Sequence, residues 1–268
     1  MPEGAEQWEL VLIADFRGVG DDRDILLQAT NKDGYRVGRY LAAYDVDTLL
    51  NGGPPIWTRN NFLACAHSGA RLADVDGDGL DEVIGGEIAD HDGTRITRAL
   101  PSRSHFDAVT AADIRTDLPG LEVIVLEEGD DHVQLISIHG PVWRRHFRRQ
   151  EPQNMAVGQF KPGSDQWFIW CRSRHNLNQK PFVFDAFGQV VTWYHMSDTA
   201  PPDWTKHGVE VIHTIDWTGG PTQLVCAKER HTAGDVAIFE PLTGRFRLRI
   251  EERADRLHVA DVLGDWRE

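Results

Sequence analysis

The sequence predicts an all-β fold, a β-propeller of about five four-stranded blades plus the start of another. Three observations carry that prediction. A short apolar stretch ending in an acidic or amide residue recurs at Asp15, Asp74, Asp113, Gln159, Asp216 and Asp261, at intervals of 39 to 59 residues. That spacing suits propeller blades; the coils of a β-helix, the runner-up architecture, would repeat at a shorter period. Hairpins with a glycine at the turn fill the second half of most units. Convincing helical periodicity with caps is absent, apart from a turn expected at Val46–Leu50.

In chain order, residues 8–15 form the first apolar strand and residues 25–27 the core of the second. The next unit opens at 71–74 and returns through a hairpin at 88–96 around Gly93. A third opens at 110–113 and has its hairpin at 136–143 around Gly140. The run 143–149 alternates apolar and basic residues, as an outer strand with one solvated face does. Units four and five open at 156–159 and 213–216, with hairpins at 182–191 around Gly188 and 237–247 around Gly244. Residues 258–261 open a sixth phrase whose second strand does not follow. The expectation is one propeller domain over 1–268, truncated at its C-terminus. Its missing C-terminal blades, or a partner, would cover the open sheet faces.

Composition bounds the function. The chain is 41% hydrophobic with 9 Trp and 11 Phe, so it folds around a core. Its formal net charge is −14, which argues against nucleic acid as a partner. The same charge would repel an acidic polysaccharide unless bound cations or a local basic patch intervene. Cys65, Cys171 and Cys226 are too few for a disulfide framework, and buried free thiols are expected at Cys171 and Cys226. No run of eighteen apolar residues exists, so no membrane span is expected. Residues 1–7 lack the basic and apolar regions of a signal peptide.

The most specific motif lies in loop 74–82. Asp74, Asp76 and Asp78 alternate, Gly79 follows at the bend, and Leu80 and Glu82 sit at the seventh and ninth places. Three carboxylates, a backbone carbonyl at Leu80 and a fourth carboxylate at Glu82 make an oxygen shell for Ca²⁺. An EF-hand would run on into a helix; here the apolar Val83 and Ile84 and a glycine pair announce a strand. The bland alternative is a solvated acidic turn. The metal's expected role is structural.

The phrases 74–86, 104–108 and 117–123, with the closing run 264–268, resemble the rhamnogalacturonan lyases of polysaccharide lyase family 11. The resemblance runs from Leu10 to the end of the chain. Loops of the same FG-GAP type also occur in adhesion propellers. The resemblance implies an eight-bladed propeller that binds several Ca²⁺ ions and cleaves rhamnogalacturonan by β-elimination. It also implies an acidic, uronate-containing polysaccharide as partner and an extracellular or periplasmic location. Only loop 74–82 has a full ligand set; Asp113, Asp117 and Glu122 are candidates for a second ion, and Asp261 with Asp265 for the start of a third. The rival class is a non-catalytic propeller for glycan binding or adhesion.

β-Elimination at a uronate needs a base near C5, a group that neutralises the carboxylate and a proton donor for the leaving oxygen. His105 is the leading catalytic candidate, beside Arg103 and Asp107 and just before a first strand. Its structural alternative is a His105–Asp107 tie between blades. Lys206 and His207 occupy the matching place before the fifth unit and are the other catalytic candidates, with Trp204 as a sugar-stacking platform. Arg103, Arg230 and His231 complete the substrate-binding set. The Arg230–His231 pair recurs in register as Arg174–His175, which suits either a positively charged face or an inter-blade salt-bridge repeat. No phosphate loop, nucleophile elbow or zinc spacing appears.

Overall fold

The structure is a computed structural model, and it describes residues 5–19, 24–31, 39–66, 69–102, 105–129, 131–146, 151–173, 180–204, 208–217, 219–230 and 234–260. They build five four-stranded antiparallel sheets, each a meander of consecutive strands, the blade unit of a β-propeller. The chain divides into two compact units, Met1–His146 and Phe147–Glu268.

The first unit holds three meanders. The first is β1 (Ala5–Ala14), β2 (Asp24–Asn31), β3 (Arg39–Asp45) and β4 (Trp57–Phe62). Between β3 and β4 lies the single helical turn Val46–Leu50, capped by the Asp45 carboxylate accepting from the Thr48 amide. The second is β5 (Arg71–Ala73), β6 (Glu82–Ile84), β7 (Glu87–Ala89) and β8 (Arg95–Arg98). The third is β9 (Phe106–Ala112), β10 (Glu122–Glu127), β11 (His132–Ser137) and β12 (Gly140–His146).

The second unit holds two. They are β13 (Pro152–Gly158), β14 (Phe168–Ser173), β15 (Phe182–Asp185) and β16 (Val190–Trp193), then β17 (Val209–Ile215), β18 (Leu224–Glu229), β19 (Gly234–Phe239) and β20 (Phe246–Ala254). The turns expected at Gly93, Gly140, Gly188 and Gly244 all form, each glycine at positive φ. Residues 258–260 are in no strand, and 261–268, with Asp261 and Asp265, lie outside the described residues.

The second strands explain why the chain reads as short apolar runs rather than strict alternation. Every residue of β10 and of β14 is buried, so these strands carry continuous apolar runs. Leu26, Leu41 and Phe62 of the first meander pack with Val83 and Ala89 of the second. Trp170, Phe168 and Val183 of the fourth pack with Val225, Ala237 and Phe239 of the fifth. All three cysteines are free and buried, and burial pushes the Cys226 thiol up to about 11.

A backbone tie between successive meanders recurs just ahead of the second strand. Asp81 N–H donates to the Asp15 carbonyl at 2.8 Å, Leu121 N–H to Val75 at 2.8 Å and Gln223 N–H to Gln159 at 3.0 Å. Each acceptor sits in the loop that follows a first strand. The tie is tight enough at Val75 that a Cβ on Gly120 would lie 2.2 Å from the Val75 oxygen, so the position needs glycine.

Candidate functional site

The loops after the first strands share one design, and the second meander departs from it. In the first, Asp15 Oδ1 accepts from Gly18 N–H at 2.7 Å; in the second, Asp74 Oδ1 accepts from Gly77 N–H at 2.8 Å. The second residue of each loop is apolar and the third is charged: Arg17, Asp76, Arg115 and Lys161 in the first four meanders. Arg17 and Arg115 form ion pairs, Arg17 with Asp24 and Asp45, Arg115 with Asp117. Asp76 brings a third carboxylate instead.

Within loop 74–82, ligand oxygens of Asp74, Asp76 and Asp78 lie within 4.8 Å of one another. A second group of the same span joins Asp78 to Glu82 and to His91 of the β7–β8 turn. Backbone amides orient these acids: Gly79 N–H donates to Asp74 Oδ2 at 3.1 Å, and Leu80 N–H to Asp78 Oδ1 at 2.8 Å. Glu82 is fully buried at the start of β6, where Oε2 accepts from Val75 N–H at 2.7 Å. Burial pushes its carboxyl up to about 7, against the pull of the Val75 amide, with Asp76 and Asp78 adding to the rise.

Two other buried glutamates in this unit are matched by arginines, whereas Glu122, like Glu82, accepts from a loop amide. Glu87 is clamped by Arg59 and Arg98, and Glu127 by Arg144. Among the described residues no arginine or lysine meets Glu82. Four carboxylates gathered in one loop, with His91 at the rim, fit a hard divalent cation, for which carboxylate and backbone oxygens are the natural donors. His91 was not foreseen from the sequence; its only signal was its place in the predicted hairpin, four residues before Arg95. Its Nδ1 lies 2.8 Å from Asp90 and 3.8 Å from Asp78, so it is engaged with carboxylates at the rim.

The second expected ion set does not assemble. Asp113 is exposed, Asp117 is held by Arg115 at 2.7 Å, and Glu122 turns its Oε2 to Arg115 N–H at 2.8 Å. The Arg115 guanidinium holds Asp117 below the usual carboxylate range. Glu122 repeats the loop tie of Glu82, and burial likewise pushes it up to about 7. The reason is the third loop residue: an arginine stands where Asp76 stands, and it neutralises its neighbour without a metal.

His105 sits just ahead of β9, as expected, but inside the protein. Its Nε2 is 2.6 Å from Glu128 Oε2 and 3.2 Å from Asp107 Oδ1, with side chains 8%, 7% and 1% exposed respectively. Glu128 N–H donates to the His105 carbonyl at 3.0 Å, closing the end of the β9–β10 pair. This is the geometry of a tie rather than of a base open to substrate. Arg103, Lys206, His207 and His231 lie outside the described residues.

Trp204 is corrected from platform to core. It is buried, edge-on to Phe246 at 5.0 Å, with Arg249 5.7 Å over its ring. Arg230 donates its N–H to the Gly208 carbonyl at 3.1 Å within the fifth meander, and its guanidinium reaches Gln153 Oε1 of the fourth at 3.4 Å. Arg172, at the corresponding end of β14, also reaches Gln153 and donates to the Val209 carbonyl at 3.0 Å. Arg174 and His175, the pair that recurs with Arg230 and His231 in the sequence, lie outside the described residues.

The rhamnogalacturonan exolyase YesX of Bacillus subtilis (strain 168) is 45% identical over 212 residues, 74% of this chain and 33% of the relative. The rhamnogalacturonan endolyase YesW of the same organism is 35% identical over 141 residues, 50% of this chain and 22% of the relative. The chain resembles the rhamnogalacturonan lyases in sequence. It spans about a third or less of the length of these curated relatives. No family model matches it. Among solved structures, the Bacillus licheniformis rhamnogalacturonan lyase PL11 aligns over 95% of this chain and 47% of its own, with a TM-score of 0.53 and 16% identity. The dihydro-heme d1 dehydrogenase NirN aligns over 86% of this chain and 45% of its own, with a TM-score of 0.52 and 13% identity. These likenesses show the propeller fold of the lyase-like chain.

Proposed function

We propose that this chain is part of a polysaccharide lyase that cleaves rhamnogalacturonan, or another uronate polysaccharide, by β-elimination, and that loop 74–82 holds a structural Ca²⁺. The lyase reading is supported by identity to two lyases that differ in endo and exo mode. The calcium reading is carried by one observation: Asp74, Asp76 and Asp78 bring ligand oxygens within 4.8 Å of one another, and the buried Glu82 shares a second such group with Asp78. Asp74, Asp76, Asp78 and Glu82 would hold the ion, with the Leu80 carbonyl at the seventh place of the loop. When bound, it supplies the positive charge that Arg17 supplies in the first meander, and it fixes the loop that carries the Val75 tie to the third.

In elimination, a base takes the C5 proton, a cation stabilises the developing carbanion through the carboxylate, and the leaving oxygen is protonated. With His105 engaged inside the protein, Lys206 and His207 become the acid–base candidates, and Arg103 and His231 the carboxylate-facing ones. A non-catalytic glycan-binding propeller is the second reading, favoured by the burial of His105 and of Trp204.

The test is incubation of the full chain with rhamnogalacturonan while following the ultraviolet absorbance of an unsaturated uronate. Product formation supports the lyase reading. His105→Gln should lower the melting temperature yet spare the pH profile of turnover; a loss of about 10²-fold or more in turnover without unfolding would restore His105 as the base. No unsaturated product from any uronate polymer would move the function to the binding propeller.

A further inference from the structure

The loop design sets apart one more residue. Its second position is occupied by Phe16, Val75, Ile114 and Phe160 in the first four meanders, and these are 2%, 0%, 4% and 3% exposed. Each plugs the base of its own loop. In the fifth meander the position is Trp217, and it is 42% exposed. The largest apolar side chain of the series is the one that is not buried.

Trp217 borders a cleft of about 560 Å³ between the loop after β13, the loop after β17 and the β19–β20 turn. That volume is in the range of small-molecule sites, ~300–1,000 Å³. Phe160, Pro162 and Leu242 supply apolar wall, and Glu240 and Arg247 form an ion pair at its edge. Glu240 is held further by the Thr243 hydroxyl at 2.8 Å. An exposed indole beside a fixed pair of one strong acceptor and one strong donor suits a pyranose ring, whose apolar face stacks while its hydroxyls bridge carboxylate and guanidinium.

The charge of the cleft narrows the sugar. Arg247 is already matched by Glu240, so a free carboxylate would gain no unpaired cation and would meet Glu240. A neutral ring avoids that repulsion, and the apolar wall favours one bearing a methyl group. We propose that this cleft binds the neutral 6-deoxyhexose, rhamnose, of a rhamnogalacturonan chain, as a docking subsite with no role in bond cleavage. The choice of rhamnose rests on the proposed lyase function; the stacking on Trp217 does not.

The experiment is titration of the full chain with a rhamnogalacturonan tetrasaccharide and, separately, an oligogalacturonide of equal length, read by calorimetry and by the NMR signal of the Trp217 indole. The rhamnose-containing probe should bind and shift that signal. Trp217→Ala should weaken it about tenfold, Arg247→Ala by a similar factor, and the oligogalacturonide should bind at least tenfold more weakly. Equal binding by wild type and both variants, no shift of the indole, or tighter binding of the oligogalacturonide would each overturn the inference. Unchanged melting temperatures in both variants exclude misfolding as the cause of a loss. Binding without unsaturated product defeats the lyase reading and leaves the subsite standing. Product without binding at Trp217 does the reverse.

Discussion

The loops after β1 and β5 make the same turn, with the leading aspartate accepting from a glycine amide three residues on, yet they balance charge by opposite means. In the first, the third residue is Arg17, and its guanidinium reaches Asp24 at 2.6 Å and Asp45 at 2.7 Å. In the second it is Asp76, and it gathers with Asp74 and Asp78, while Asp78 groups with Glu82 and His91; among the described residues no arginine or lysine ion pair to these acids forms. One loop carries its positive charge covalently; under the proposed function the other would take it from a bound ion. The third meander sides with the first, through Arg115. Between the first and third loops on one side and the second on the other, the charge contrast lies at the third position.

Three substitutions or conditions break or sharpen that contrast, in falling order of effect. Asp24→Ala removes the buried acceptor of Phe16 N–H and the partner of Arg17. It should cost ~2–4 kcal/mol in urea unfolding, equally with and without calcium. A cost that calcium relieves would mean the first loop also recruits metal. Next, calcium at a hundredfold excess over its dissociation constant should stabilise the chain by ~2.7 kcal/mol, and Asp76→Ala or Asp78→Ala should remove that increment. A melting temperature indifferent to chelation would sink the metal. Smaller still, Asp76→Arg should install the first loop's solution in the second: no response to calcium, and stability in chelator no lower than that of the parent. A calcium response of parental size would show that the third residue is not the switch.

Much of this was legible in the sequence because it depends on local chemistry. The five first strands, the four glycine turns and the buried cysteines follow from apolar runs, positive-φ positions and the small size of the thiol. The donor loop was visible because its ligands are close in sequence. What was not legible depends on partners brought from afar. Trp204 looked exposed because a polar stretch follows it, but Phe246 and Arg249, over forty residues on, cover it. Glu122 looked like a ligand because Asp113 and Asp117 precede it, whereas Arg115 between them takes up that charge. His91 joined the acidic group through strand pairing of β6 with β7, which no spacing announces. Trp217 stood in plain sight after Asp216, but only the burial of its four counterparts gives its exposure meaning.

The finest test of the contrast is pH. Glu82 and Glu122 both begin a second strand, tie the amide of an upstream loop, and are pushed by burial from the ordinary 4.5 up to about 7. A buried acid of this kind holds its proton better in the fold than in the unfolded chain. Its stabilising contribution is therefore full below pH 4.5 and falls as the pH rises through 4.5 to about 7. Asp45 acts in the opposite sense. Held at about 2 by the Thr48 amide and then by Arg17, it stabilises above 3.8 and loses that contribution as the pH falls toward 2. In chelator, then, stability should decline from pH 4.5 to 7 with both glutamates contributing. On the proposed function, calcium would compete with the proton at Glu82, where the aspartates gather, and not at Glu122, whose neighbour Asp117 is paired with Arg115. Saturating calcium should remove about half of the decline, and Glu122→Gln should remove most of the remainder. Urea midpoints measured across this window with and without calcium decide it. Identical slopes would place Glu82 outside the reach of the ion and return the loop to a solvated acidic turn.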